Sequence, residues 1–163
     1  MNDMAEKGDF EIVSLNVSES TGTRKNPVDS FLLIEGAGVD GDAHAGLIEN
    51  RQVSLLAVEE IEKASEQLVR GGCALTSALD HLSPGDFAEN ITTRGIQLHL
   101  LPVGTRLRIG KVELEVSKIG KECHTACEIR RLVGDCVMPK KGIFARVVAG
   151  GEVCREDSGH YSF

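Results

Sequence analysis

The densest chemistry in the chain lies in Gly120–Met138, GKECHTACEIRRLVGDCVM, which places Cys123, His124, Cys127 and Cys136 in one short stretch. A thiol reacts as its thiolate, and nearby cations or a helix N-terminus lower its pKa. Lys121, Arg130 and Arg131 are close in sequence, and the segment could open a helical turn at Thr125. A single cysteine is more often a small buried hydrophobe. Three cysteines and a histidine this close point instead to a nucleophilic, sulfur-carrying or metal-binding thiol. A structural zinc site competes with that reading. Its usual signal is two CxxC-like pairs, whereas this segment offers one CxxxC pair and a single Cys136.

Other segments carry weaker signals. Val39–Gly46, VDGDAHAG, alternates Asp40, Asp42 and His44 in a glycine-rich loop. Its backbone N–H groups could cradle an oxyanion while Asp42 orients His44. Taken alone, the motif fits better an acidic turn whose Asp side chains bond their own backbone. Arg51 precedes an apolar run, where its planar fork suits an anion or a surface carboxylate. Glu89 and Asn90, in PGDFAENI, read as a ligand contact or as a polar bracket for the loop, and Lys25 stands just before a strand. His81, His99, His160, Cys73 and Cys154 have no such company and read as structural or surface residues.

The elements that must position these groups are mostly strands. Phe10–Val17, Val28–Ile34, Arg51–Leu56, Thr105–Ile109, Val112–Ile119 and Ile143–Ala149 have strand-like apolar patterns. Gly110 predicts a hairpin in which Leu107 and Ile109 face Val112, Leu114 and Val116. One helix is expected where Val58, Ile61, Ala64, Ser65 and Leu68 share a face, stopped by Gly71 and Gly72. Cys73–Leu82 reads as a short helix or an insertion. Six to eight short strands with one or two helices predict a β-rich barrel or an α+β domain.

Composition narrows the partners. The 163 residues, 41% apolar and 26% charged, suit one globular domain. A net charge of −7 disfavours a nucleic-acid partner. Five cysteines without an apolar leader at Met1–Asp9, and no membrane-length apolar run, predict reduced thiols in a cytoplasmic protein.

Taken in order, NVSES, GTRKNPV, GVDGDAHAG, RQVSLL, LSPGDFAENITT, LPVGTRLRIG, IGKECH, GDCVMP and GIFARVV resemble the MOSC family, named for the C-terminal part of molybdenum-cofactor sulfurases. The resemblance runs from about Phe10 to Asp157 and is closest to the small stand-alone bacterial forms, so 1–163 is expected to be one such domain. It implies a mainly β fold with some α, a β-barrel with a few peripheral helices. It also implies a cysteine that carries sulfur to the molybdenum cofactor (molybdopterin) or ligates its metal. Cys127 best matches that cysteine, and Cys123 matches a second found in many small forms. By the same resemblance Asp42, His44, Arg51, Glu89 and Asn90 line the pocket, Lys25 lies on its rim, and His124 belongs to the cofactor-binding set. LIEN before RQVSLL, and Arg155-Glu156-Asp157 in the tail, depart from the family pattern. The pyridoxal-phosphate domain of the larger fused sulfurases has no counterpart in these residues, so a cysteine desulfurase and a molybdoenzyme are the expected partners. The alternatives are a molybdenum-dependent reductase of N-hydroxylated compounds, sharing the same site, and a non-catalytic zinc or ligand-binding domain.

Overall fold

The computed structural model describes residues 6–19, 25–42, 52–70, 83–120 and 141–163. Cys73, His81, Cys123, His124, Cys127, Cys136, His44 and Arg51, together with the ambiguous Cys73–Leu82 stretch, lie outside the described residues.

Seven strands form a closed barrel: β1 (Lys7–Val17), β5 (Val53–Ala57), β6 (Ile91–Arg94), β7 (Arg106–Ile109), β8 (Val112–Ile119), β9 (Ile143–Ala149) and β11 (Ser158–Ser162). They run β11-β7-β8-β9-β5-β6-β1, and β11 returns to pair with β1, so no barrel strand keeps an open side. β2 (Asn26–Val28) adds to β1 as an outer edge. A small second sheet has the order β10 (Gly151–Cys154), β3 (Ser30–Ile34), β4 (Gly38–Val39).

The hairpin expected around Gly110 has the expected register, with Leu107 opposite Leu114 and Ile109 opposite Val112. These residues and Val116 are fully buried, while Arg106, Arg108, Glu113 and Glu115 face outward and pair with one another. Alternation of this kind lets one strand fill the barrel and solvate its outside. β5 is instead buried at all five positions, VSLLA. It is parallel to β6, and the connection between them begins with α1 (Val58–Arg70), which packs on both strands. Val58, Ile61 and Ala64 form the buried stripe of α1.

Two expectations are corrected. Val28–Ile34 is not one strand: Asn26–Val28 pairs with β1, and Ser30–Ile34 pairs with β10 in the other sheet. Pro27 has no N–H to donate, which confines its strand to a sheet edge. Asp29 is the corner, and its carbonyl accepts the Arg155 N–H at 3.0 Å. The tail beyond Gly150, for which the strand patterns above gave no element, supplies β10 and β11. Between them Arg155 and Glu156 make a tight turn, bracketed by Asp157 N–H to the Cys154 carbonyl (2.9 Å) and Cys154 N–H to Asp157 Oδ2 (2.8 Å).

Candidate functional site

Strand direction sorts the loops to two mouths of the barrel. Leu15 lies opposite Ile91, Leu55 beside Ile91, and Val53 opposite Ala145. The C-terminal end of β1 and the first residues of β5 and β6 therefore share one mouth. Ser18, Lys25, Asp42, Glu89 and Asn90 all cluster there. At the other mouth β8 ends and β9 begins, Ile119 facing Ile143, with Gly120 N–H donating to the Gly142 carbonyl at 2.7 Å. The cysteine-bearing segment 121–140 is rooted at this second mouth.

At the first mouth, Lys25 Nζ lies 2.8 and 3.0 Å from the two oxygens of Asp42, and neither side chain is exposed to solvent. Asp42 Oδ1 also accepts the Ser18 N–H at 3.0 Å. Two opposite charges buried together offset each other's desolvation, whereas either one alone would be costly. Lys25 directly follows segment 20–24 and Asp42 directly precedes segment 43–51. The pair thus ties the bases of two segments together, and the second of them carries His44 and Arg51. Lys25 is buried.

Glu89 and Asn90 brace the neighbouring turn. Glu89 Oε2 accepts the Gly85 N–H (3.0 Å) and the Thr92 hydroxyl (2.7 Å), while Oε1 accepts the Phe87 N–H (3.3 Å). The residue is wholly buried, and that burial raises its carboxyl to about 7 against the opposing pull of these hydrogen bonds. Asn90 and Ser54 bond reciprocally, Ser54 N–H to Asn90 Oδ1 and Asn90 N–H to Ser54 Oγ, each at 3.0 Å. Asn90 Nδ2 donates to the Asn16 carbonyl at 3.2 Å. Of the two readings of ENI, the polar bracket describes what these side chains do among the described residues.

The turn they hold is strained. Ala88 has φ 63°, in the left-handed region that L side chains avoid. Gly85 has φ 92°, and a Cβ there would collide with the Lys25 carbonyl oxygen. The Gly85 carbonyl in turn accepts the Lys25 N–H at 2.8 Å. Glu89 therefore fixes the turn, and the turn fixes Lys25.

Sequence reasoning missed Ser14, Asn16, Ser54 and Thr92. Ser14 Oγ donates to Asn16 Oδ1 at 2.7 Å, and Asn16 Nδ2 donates to the Glu89 carbonyl and to Thr92 Oγ1, both at 3.1 Å. The available signal was polarity at buried positions of otherwise apolar strands, as with Asn16 beside Leu15 in β1.

Over residues 40–158 the sequence matches the MOSC domain. The chain belongs to the MOSC domain family. No curated protein matches the chain. Among solved structures it is similar to the YuaD protein from Bacillus subtilis, with a TM-score of 0.76 at 17% identity, covering 98% of this chain and 100% of that one. It is similar also to YiiM from Escherichia coli (TM-score 0.68, 18% identity, 96% and 70% covered) and to YiiM from Geobacillus stearothermophilus (0.68, 19%, 94% and 75%). At these identities the likeness shows the fold. MOSC membership makes this a molybdenum-cofactor-related domain. No helix among the described residues is long and apolar enough to cross a membrane, and no group of three or more His, Cys, Asp or Glu among them converges as a metal site.

Proposed function

We propose that this MOSC domain binds the molybdenum cofactor at the mouth built on the Lys25–Asp42 pair and acts through a cysteine thiolate that carries sulfur to the cofactor or ligates its metal. Cys127 is the foremost candidate and Cys123 the second. The observation that carries the reading is the solvent-free ion pair where two segments meet, because it fixes the starting point of the stretch that holds His44 and Arg51.

The described residues suit a phosphate-bearing group in a particular way. Asp42 is paired with Lys25, so an approaching anion does not meet a bare carboxylate. Lys25 is then not the counterion. That role falls to Arg51, with its bidentate fork, and to backbone N–H groups of the glycine-rich loop. Glu89 and Asn90 hold the turn beneath and do not offer a free carboxylate. His44 and His124 remain candidates for moving a proton and for cofactor contact. A thiolate is the soft donor that a molybdenum centre accepts. The bound cofactor would supply a redox metal and a position for terminal sulfur.

The cysteine segment is rooted at the far mouth but has the reach. Cys127 stands eight residues beyond Ile119, and an extended chain of that length spans about 26 Å. The five residues of β5 span about 17 Å. On this reading the protein receives sulfur from a cysteine desulfurase and passes it, through the cofactor, to a molybdoenzyme.

The test is mass spectrometry of the native protein and of Cys127→Ala, mapping persulfide and bound molybdenum together. The expected result is that the variant folds with an unchanged unfolding midpoint but loses the labile sulfur or the cofactor. A variant that keeps full cofactor binding and any persulfide transfer overturns the assignment. Stoichiometric zinc in the native protein would replace it with the non-catalytic reading.

A further inference from the structure

The second mouth contains a cavity of about 290 Å³ that the cofactor reading does not use. It lies where β5 and β6 both end, a position that favours ligands in parallel strand pairs. Ala57 closes one wall, Glu59, Glu60 and Lys63 from the start of α1 line another, and Gly95, Ile96, Gln97 and His99 complete it.

Two carboxylates, Glu59 and Glu60, and two ammonium groups, Lys63 and Lys141, meet there, but their hydrogen bonds are not all made. Glu59 Oε2 accepts the Gly95 N–H at 2.9 Å, but Glu59 Oε1 is buried and has no donor among the described residues. A buried acceptor without a donor is uncommon and calls for a partner. Glu60 has only a long contact to a mostly exposed Lys63, 3.5 Å from Oε1 to Nζ. Lys141 Nζ is 3.4 Å from His99 Nε2, and burial together with that ammonium lowers the pKa of His99. The imidazole is therefore held neutral and available for hydrogen bonding.

These features select the ligand. An anion is disfavoured although the cavity sits at a helix N-terminus, because Glu59 and Glu60 already occupy the positive end of the dipole. A chelated metal is disfavoured because no three ligating side chains converge among the described residues. A ligand without a donor would leave Glu59 Oε1 unsatisfied, and a neutral donor makes a weaker bond to a carboxylate than a charged one. The best match is a donor that brings positive charge.

We propose that this cavity binds a small organic ammonium, which donates to Glu59 Oε1 and to the Glu60 carboxylate, lays a short methylene stem against Ala57 and Ile96, and directs a polar end to Gln97 and His99. The site is independent of the cofactor reading, which concerns the opposite mouth. Through Lys141 it adjoins the root of the cysteine segment.

The test is an amide chemical-shift titration of isotope-labelled full-length protein with ethylammonium and ethanolammonium chlorides, using ethylene glycol and sodium propionate as uncharged and anionic counterparts at matched ionic strength. The ammonium salts should shift Gly95, Gln97 and His99 saturably, with Kd about 1 mM or tighter, and the counterparts should not. Glu59→Gln keeps an oxygen for the Gly95 N–H and removes the charge, so it should weaken binding about tenfold. Lys63→Ala, which frees Glu60, should leave affinity unchanged or raise it. Non-saturable shifts, an equal response to ethylene glycol, or undiminished binding in Glu59→Gln would overturn the proposal. The comparison of ammonium with ethylene glycol on the unmodified protein decides the matter even if a variant fails to fold.

Discussion

Replacing Glu89 with glutamine isolates the effect of a buried titrating group on stability. Burial raises this carboxyl from 4.5 to about 7 in the folded protein. Between those values the folded state binds more protons than the unfolded state, so the group's contribution falls as pH rises. It is nearly complete near pH 5 and gone by about pH 8, and the loss across that window is about 2 to 3 kcal/mol. Glutamine has no such equilibrium. Its amide oxygen can still accept from Gly85 and Thr92, while its NH₂ cannot accept the long Phe87 N–H contact, a loss that is the same at every pH. Urea unfolding of both proteins at several pH values from about 5 to 8 reads the difference directly. The native protein should lose about 2 to 3 kcal/mol more than Glu89→Gln over that range, because the other titrating groups are common to both and cancel. Parallel profiles would refute the reasoning, since they would mean that Glu89 is ionised at the same pH folded and unfolded.

Three further outcomes are expected. Lys25→Met or Asp42→Asn alone should cost about 3 to 5 kcal/mol by stranding a buried partner, while the double replacement Lys25→Met/Asp42→Leu should recover much of it; a denaturation double-mutant cycle measures the coupling. Asn90→Ala removes acceptors and donors from Ser54 and the Asn16 carbonyl, and should lower unfolding free energy by about 2 to 3 kcal/mol. Gly85→Ala must adopt φ 92° and push against the Lys25 carbonyl, so thermal unfolding should show a loss of more than about 1 kcal/mol.

Much of the barrel was legible in the sequence because its signal is local. Val112, Leu114 and Val116 alternate with charged residues, and Gly110 marks the turn, so both hairpin strands and their register follow from neighbours along the chain. The C-terminal strand was not legible for the opposite reason. SGHYS offers only Gly159 and Tyr161 to the inside, and its place depends on partners at Lys7–Glu11 and Arg106–Ile109. The site divides in the same way. Asp42, Lys25, Glu89 and Asn90 could be singled out as residue types in suggestive loops. That Asp42 would be satisfied by Lys25, 17 positions away, and Glu89 by its own turn depends on tertiary packing that spacing does not encode.

The way the barrel closes also governs when it can form. Lys7 pairs with Ser162 and Phe10 with Gly159, while the same strand pairs with Arg106–Ile109 on its other side. Until residues 158–162 have been synthesised, β1 and β7 both present bare backbone along one edge, open to other chains. The closing contacts are among the most distant in the sequence, so their loop entropy must be met late and folding is expected to be slow for a protein of this size. Between the synthesis of β9, which joins β8 to β5, and that of β11, the nascent protein would present an open, sticky sheet. Of all its segments, the short and largely polar β11 would do most to keep the finished molecule from aggregating.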